Sequence, residues 1–346
     1  MSQDKKLTEK RLSALWKDPK VKQLPLENNK LVMFSDLHLG DGGKADDFRE
    51  SEPALAAALD HYEKKGFTVI LLGDIEELWQ FDLYKISERY KSSVYRRLQR
   101  FDNQHFHRVF GNHDSEWGVP ADPARKNPRR SAAASEAIKL VDKAGKPRVL
   151  LVHGNQGSIE SDKNTWFSRF AVRLYKAIEP IFKIDRHRSA TKSQIAGDYE
   201  RILYSWAKKN RVMLICGHSH RAIFRSRSYI EILEEKIRTR QKEIQSNPGN
   251  RRLIDRNLKE IEKLHKEKLE ELKKNRGIVG VEDRKKPLPC YFNTGCGLYT
   301  DGLTAVEIEK DSIRLVKWSK KSNPGGRKVF DQDSLSAFLQ QIARSR

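Results

Sequence analysis

The chain has 346 residues, of which 37% are hydrophobic and 33% are charged, so it can bury a sizeable core in one large domain or two ordinary ones. It contains no apolar run of about 18 residues, which excludes a predicted membrane-spanning helix. The N-terminal stretch is charged without an apolar centre, and the three cysteines form no CxxC pair. We therefore expect a cytoplasmic protein without a signal peptide or a disulfide framework.

The net charge of +21 is the strongest feature of the composition. It indicates an anionic partner, such as nucleic acid, an anionic lipid surface or a phosphorylated substrate. Lys and Arg outnumber Asp and Glu by seven to two in residues 85–110, and by eight to two in both 125–148 and 163–192. Because these stretches flank the polar motifs described below, we expect them to attract phosphate groups towards those motifs.

Five short apolar runs along the chain are typical of strands that are buried on both faces. They are residues 31–34, 68–72, 108–110, 148–152 and 211–216. An amphipathic helix pattern separates the first two runs, with Ser51 as a candidate N-cap, Pro53 in the first turn and Gly66 at the end. This alternation of strands and helices predicts a layered α/β fold.

Two segments interrupt the alternation and are predicted to be insertions in one domain of residues 28–320. Residues 160–208 predict an aromatic, basic helical lid. Residues 229–276 predict two charged helices in an antiparallel coiled-coil hairpin, which is expected either to bind a protein partner or to be a solvated insertion. Residues 1–27 are predicted to be an N-terminal extension, and residues 321–346 a C-terminal tail with a short helix.

Oxygen and imidazole side chains follow the carboxyl ends of all five runs, where α/β folds form their ligand crevices. Such donors suit Mn²⁺, Fe, Zn²⁺ or Co²⁺. Since one ion takes about four to six ligands, this number of candidates predicts two ions that share a ligand. Asp74 is the expected bridge, because a carboxylate offers two oxygens. The candidates are Asp36, His38, Asp74, Asn112, His113, His153, His218 and His220.

The five motifs "SDLH", "GDIEE", "GNHD", "VHG" and "GHSH" resemble, in kind and in order, those of the calcineurin-like metallophosphoesterase superfamily. Each motif alone is weak, but the combination from Ser35 to His220 is highly specific. The resemblance implies an α/β/β/α sandwich and a phosphoesterase with two divalent ions, for which Mn²⁺ is favoured. A hydroxide between the ions would attack phosphorus in line.

The resemblance also implies a role for each candidate. It assigns seven of them to the metal ions: Asp36, His38 and His220 to the first, Asn112, His153 and His218 to the second, and Asp74 to both. His113 would bind the phosphate and protonate the leaving oxygen. Asp114 would orient His113.

The substrate is expected to be a phosphodiester, a pyrophosphate or a phosphomonoester. "SDLHLG" with "GDIEELW" resembles the cytoplasmic UDP-2,3-diacylglucosamine pyrophosphohydrolases, which also carry a helical lid at the place of residues 160–208. This chain differs from them in having His113 where they have Arg, and it has Asn155 where close relatives often have a second His. The basic stretches favour a nuclease or a cyclic-nucleotide phosphodiesterase as the alternative. A non-catalytic scaffold would be marked by lost metal ligands, and none is lost here.

Overall fold

A computed structural model describes residues 2–27, 30–118, 134–157, 190–274, 287–298, 302–319 and 326–345. Most of the predicted lid, and nearly all of the basic stretch 163–192, lie outside these residues. The described parts of the chain form two β-sheets and eight α-helices. None of those helices combines the length and the apolar composition that crossing a membrane requires.

The first sheet contains six strands, numbered here in chain order. They are β2 (Lys30–Phe34), β3 (Thr68–Leu72), β4 (Phe106–Val109), β11 (Gly302–Glu309), β12 (Ser312–Ser319) and β13 (Gly326–Ser334). Their order across the sheet is β13-β12-β11-β2-β3-β4. Strands β2, β3 and β4 are parallel, whereas β11, β12 and β13 add antiparallel pairs at the other side.

The second sheet contains seven strands. They are β1 (Lys22–Pro25), β5 (Ala137–Val141), β6 (Pro147–Val152), β7 (Met213–Cys216), β8 (Ala222–Phe224), β9 (Arg227–Ser228) and β10 (Tyr291–Thr294). Their order is β1-β5-β6-β7-β10-β8-β9. Strands β6, β7 and β10 are parallel neighbours at the centre of this sheet.

Eight helices accompany the sheets. They are α1 (Ser2–Lys17), α2 (Glu52–Lys64), α3 (Leu83–Arg89), α4 (Arg96–Leu98), α5 (Ala190–Asn210), α6 (Tyr229–Ser246), α7 (Arg251–Lys274) and α8 (Leu335–Arg344). A π-helical turn, Lys91–Tyr95, precedes α4, and short 3₁₀ turns lie at Asp47–Glu50 and Ser115–Gly118.

Strands β2 and β3 are buried on both faces because alternate side chains enter two different cores. Met33 and Ile70 belong to the core that includes the second sheet, α1 and α5, whereas Val32 and Val69 belong to the core beneath α2. Each such side chain contributes about 1.5–3 kcal/mol when it is buried. The helices therefore cover the outer faces of two packed sheets, and the predicted layered α/β fold is confirmed.

The two sheets extend beyond the predicted domain limits of 28 and 320. Strand β1 pairs in parallel with β5, and β13 pairs with β12 along its whole length. Both are edge strands with several exposed residues. Their sequences therefore lack the continuous apolar run by which the inner strands were predicted.

Helices α6 and α7 lie antiparallel in the segment predicted to be a hairpin. Lys268 Nζ lies 2.7 Å from Glu234 Oε1, and Asn257 Nδ2 donates to Glu243 Oε2 at 2.9 Å. The second contact lies beside the turn at residues 247–250, and the first lies towards the opposite ends of the two helices, as antiparallel packing requires. Coiled-coil packing and the binding of a protein partner stay predictions.

The first helix of this pair begins at a capping box, which gives a test of the fold. Ser228 Oγ accepts from Glu231 N, and Ser228 N donates to Glu231 Oε2 at 2.7 Å. Ser228→Ala should lower the free energy of unfolding by about 1 kcal/mol, because it leaves a helical N–H without its acceptor. Urea unfolding measures this change. Thr239→Ala, within the same helix, is the matched control and should cause no such loss; equal losses would contradict the cap.

Candidate metal centre

The five polar motifs follow strands that are neighbours in the two sheets. In the first sheet, β2, β3 and β4 are adjacent and parallel, so their carboxyl ends meet at one edge. In the second sheet, β6 and β7 are also adjacent and parallel. The first sheet contributes Asp36, His38, Asp74, Asn112 and His113, and the second contributes His153, His218 and His220.

One group of candidate ligands consists of Asp36, His38 and His220, whose ligand atoms lie within 4.8 Å of one another. His38 Nε2 lies 3.1 Å from His220 Nε2, which in turn lies 3.3 Å from Asp36 Oδ1. Asp36 is fully buried, and its carboxylate also accepts from His218 N at 2.9 Å. The structure thus brings together the three residues that the resemblance assigns to the first ion.

A second group consists of Asp74, His153 and His218, again with ligand atoms within 4.8 Å of one another. His153 Nε2 lies 3.1 Å from Asp74 Oδ2, and His153 Nδ1 lies 2.8 Å from Leu72 O. Since the carbonyl oxygen can only accept, Nδ1 carries the proton. In the neutral ring this leaves Nε2 with the lone pair that a metal ion needs.

The carboxylate of Asp74 lies between the two groups. Its Oδ2 is 3.1 Å from His153 Nε2 in the second group and 4.0 Å from His38 Nε2 in the first. Its Oδ1 accepts from His113 N at 2.8 Å. Gly111 makes this approach feasible, because a Cβ at position 111 would lie 2.7 Å from Asp74 N. Asp74 is therefore placed as a bridging ligand would be.

The backbone is strained at many of these positions. Nine non-glycine residues of the described chain have a positive φ, and five of them are candidate ligands with φ between 49° and 68°. Those five are Asp36, His38, Asp74, His218 and His220. Such a conformation costs about 1–3 kcal/mol per residue and persists only where the surroundings impose it. Its concentration here points to a functional site.

Hydrogen bonds between loops hold these strained residues in place. Asp36 N donates to Gly73 O, and His38 N donates to Asp74 O, both at 3.0 Å. In the second sheet, Gly217 N after β7 donates to His153 O after β6 at 2.7 Å. The loops that carry the ligands are therefore joined to one another through their backbones.

Buried negative charge dominates the electrostatics of the site. Burial would raise the pKa of Asp74, but the positive charges of His153, His113 and His38 outweigh it and hold that pKa well below its usual range. Conversely, Asp74 and Asp36 overcome the burial of His153 and raise its pKa to about 10. The two carboxylates stay ionised, and they need cationic partners, since a buried charge without one is very costly.

The donors present fit divalent metal ions. The Oδ1 atom of Asn112 is buried and has no hydrogen-bond partner within the described ranges. Burial and the charge of His153 lower the pKa of His218 to about 3, so this imidazole is neutral and can coordinate. Ionised carboxylates, neutral imidazole and a buried amide oxygen without a partner form the mixed set of ligands that transition-metal ions bind.

His113 is held by two residues of the loop after β3. Its Nδ1 lies 2.8 Å from Glu77 Oε1, and its ring stacks on Trp79 with centroids 3.9 Å apart. The other oxygen of Glu77 lies 2.8 Å from His38 Nδ1. Burial would lower the pKa of His113, but Asp74 and Glu77 raise it to about 9. At neutral pH His113 is therefore a cation. Because Glu77 binds the ring at Nδ1, the proton on Nε2 does not take part in that contact.

Asp114 does not take the role predicted for it. Its two oxygens accept from backbone groups, Gly111 N at 2.6 Å and Ile75 N at 2.9 Å. The carboxylate therefore joins the loop after β4 to the loop after β3, and it is Glu77 that binds the imidazole of His113. Adjacency of His113 and Asp114 in the chain suggested the pairing, but their side chains bind different partners.

Glu77 is the residue that sequence reasoning missed. Its only signal was an acidic residue three positions after Asp74, in "GDIEELW", beside a second glutamate. Glu76 binds elsewhere, since it accepts from Tyr95 Oη at 2.9 Å and from Arg108 Nη2 at 2.8 Å. Only the fold of this loop shows which of the two glutamates lies at the site.

The two sheets thus bring together two groups of aspartate and histidine side chains that could hold metal ions. The family model described as Calcineurin-like phosphoesterase matches residues 30–222, more than half of the chain and all five motifs. The chain belongs to the calcineurin-like phosphoesterase family.

Among solved structures, the chain is similar to Vacuolar Protein Sorting 29 from Cryptosporidium parvum. The two are 10% identical with a TM-score of 0.33, and the match covers 88% of this chain and 98% of that one. A comparison with curated proteins finds no match.

The contacts of His113 lead to a prediction about Glu77. Glu77→Gln should lower turnover of phosphoesters by about 10-fold or more, because an amide can accept from only one of the two imidazoles. The loss should be larger for phenyl esters than for p-nitrophenyl esters, since a poor leaving group depends more on His113 as an acid.

Asp114→Asn is the matched control for this measurement. It changes a carboxylate that binds backbone groups only, so it should not alter the ratio of turnover between the two esters. A changed ratio in Asp114→Asn together with an unchanged ratio in Glu77→Gln would restore Asp114 as the residue that orients His113.

Proposed function

We propose that the protein is a binuclear metal-dependent phosphoesterase that hydrolyses a phosphodiester, a pyrophosphate or a phosphomonoester. One observation carries this proposal: the carboxylate of Asp74 lies between two groups of ligands, within 4.0 Å of His38 Nε2 and 3.1 Å of His153 Nε2. A single ion would not need both groups. Two ions that share one carboxylate would use all of these residues.

The residues that would hold the ions are those of the two groups. The first ion would be held by Asp36, His38, His220 and Asp74, and the second by Asp74, Asn112, His153 and His218. We favour Mn²⁺ because oxygen donors contribute to both sets, carboxylates to the first and a carboxylate with an amide to the second; Fe, Zn²⁺ and Co²⁺ are the alternatives. When bound, such ions would supply Lewis acidity and a water nucleophile that is ionised at neutral pH.

His113 would bind the phosphate of the substrate and protonate the leaving oxygen through Nε2. Three contacts support this role. Glu77 binds Nδ1, Trp79 covers one face of the ring, and Asp74 accepts from the backbone N–H. The imidazole therefore has a fixed orientation, which a general acid requires if it is to meet the leaving oxygen.

Two observations favour different substrates. The motif "GDIEELW" resembles that of the UDP-2,3-diacylglucosamine pyrophosphohydrolases and favours a pyrophosphate. Its Glu77 and Trp79 contact His113, a position at which those enzymes have Arg, so these contacts support a role for the motif at this site and not the pyrophosphate in particular. The net charge of +21 favours a polyanion, and hence a nuclease or a cyclic-nucleotide phosphodiesterase. We propose a cytoplasmic location, which the three free cysteines support.

Hydrolysis of bis-p-nitrophenyl phosphate and of p-nitrophenyl phosphate by the Mn²⁺-loaded protein tests the proposal. Asp74→Asn should lower turnover by at least about 100-fold, because losing a shared ligand should cost no less than losing an outer contact. Asp102→Ala is the matched control, since this carboxylate is exposed and binds only at its own surface loop. It should retain full turnover.

The outcomes separate the candidate functions. Turnover of the diester would favour nucleic-acid, cyclic-nucleotide or nucleotide-lipid substrates, whereas turnover of the monoester alone would favour phosphatase substrates. A protein that binds two ions and hydrolyses neither ester would support the non-catalytic scaffold. Activity that survives in Asp74→Asn would contradict the binuclear site.

His113→Ala gives a separate prediction about proton donation. The variant should still bind two metal ions, because His113 belongs to neither ligand group of the proposal. It should lose about 10²–10⁴-fold in turnover, the usual contribution of general acid–base catalysis. Measuring metal content and turnover in the same sample checks both parts, and undiminished turnover of an ester with a poor leaving group would exclude the acid role.

A further inference from the structure

The N-terminal helix α1 lies outside the stretch matched by the family model, yet it is part of the packed structure. Leu12 is fully buried in the core that contains the second sheet. Trp206 Nε1 of α5 donates to Ser13 Oγ at 2.9 Å. These contacts fix α1 against α5 and the second sheet.

The loop after His153 lies directly on this helix. A Cβ added at Gly157 would be 2.5 Å from Thr8 N and 2.6 Å from Thr8 Cα, which are backbone atoms that cannot move aside independently of the helix. Thr8 itself is completely buried. The loop can occupy this position only because residue 157 has no side chain.

Further contacts join Gly157 to the candidate ligands. The side-chain oxygen of Gln156 accepts from Gly154 N at 3.0 Å, next to His153. Tyr199 Oη, on α5, donates to Gln156 O at 2.7 Å. The ring of Tyr199 also contacts the ring of His218, with centroids 5.8 Å apart.

We propose that Gly157, with α1 behind it, and Tyr199 position the second half of the metal centre. They hold the loop of residues 154–157, and with it His153 and His218, at the separation that the second ion requires. This inference rests on the proposed binuclear function and extends it to a helix outside the family match. The contacts described for these positioning residues lie at the loop of residues 154–157 and at His218, on the side of the second group, so we expect them to act on the second ion.

Binding of Mn²⁺ to the full-length chain, measured by equilibrium dialysis, tests the inference. The unaltered protein should bind two ions. Gly157→Ala should weaken one of them by about 10-fold or more, as expected when an outer contact of a ligand is lost, and leave the other unchanged. Tyr199→Phe should weaken the same ion by a smaller factor, because it removes one hydroxyl and keeps the ring.

Two controls match these variants. Gly145 also has a positive φ, but a Cβ there meets nothing within 4 Å, so Gly145→Ala carries the backbone strain without the contact. Tyr84 is 64% exposed, so Tyr84→Phe removes a hydroxyl far from any buried contact. Both controls should bind two ions with unaltered affinity. Gly157→Ala and Gly145→Ala should both lower the melting temperature of the metal-free protein.

A double variant assigns the weakened ion. His218→Ala already removes a ligand of the second ion, so adding Gly157→Ala should cause no further loss in the affinity of the ion that remains. A further loss, or an equal weakening of both ions in Gly157→Ala, would overturn the inference. Unaltered binding in Tyr199→Phe would also overturn it, even where Gly157→Ala fails to fold. An unaltered protein that binds fewer than two ions would instead contradict the proposed function.

Discussion

The site depends on one buried carboxylate, that of Asp74. It is almost fully enclosed, and a charge in that position is tolerated only if cations surround it. The histidines that lower its pKa come from three different loops and from both sheets. The strand ends of both sheets must therefore lie close together if the charge of Asp74 is to be compensated. A divalent ion on either side would satisfy the same requirement with the imidazoles neutral. The carboxylate thus links the packing of the two sheets to the chemistry of the site.

The strained backbone follows from this arrangement. Asp36, His38 and Asp74 adopt a positive φ, and the bonds from Asp36 N to Gly73 O and from His38 N to Asp74 O keep them there. These bonds exist because β2 and β3 are parallel neighbours in register. The energy that balances the strain comes from the apolar side chains of the same strands, which fill two cores. Stable strands therefore maintain ligand positions that isolated loops would not adopt.

Much of the fold and of the candidate site was predictable from the sequence, because inner strands and candidate metal ligands both have local sequence patterns. A continuous apolar run followed by Asp36 or His153 indicates the end of a strand, and the combination of five such motifs in one order indicates the candidate ligands. The edge strand β1 leaves no such pattern, since half-exposed residues tolerate polar side chains. The roles of Glu77 and Asp114 were also beyond the sequence. Each is decided by the direction of a side chain in a loop, and adjacency in the chain does not determine that direction.

Glu77 and α1 would support the proposed metal centre in two different ways. Glu77 acts at short range, because its two oxygens bind His38, a candidate ligand of the first group, and His113, the proposed acid. It would therefore fix the distance between the first ion and the group that donates a proton. Helix α1 acts through backbone packing at Gly157, on the opposite half of the site. The two halves are thus supported by different elements, one within the family match and one outside it. The carboxylate of Asp74 lies between the two groups and is the point at which the two halves meet, so each support holds its own half of the site against the same buried charge.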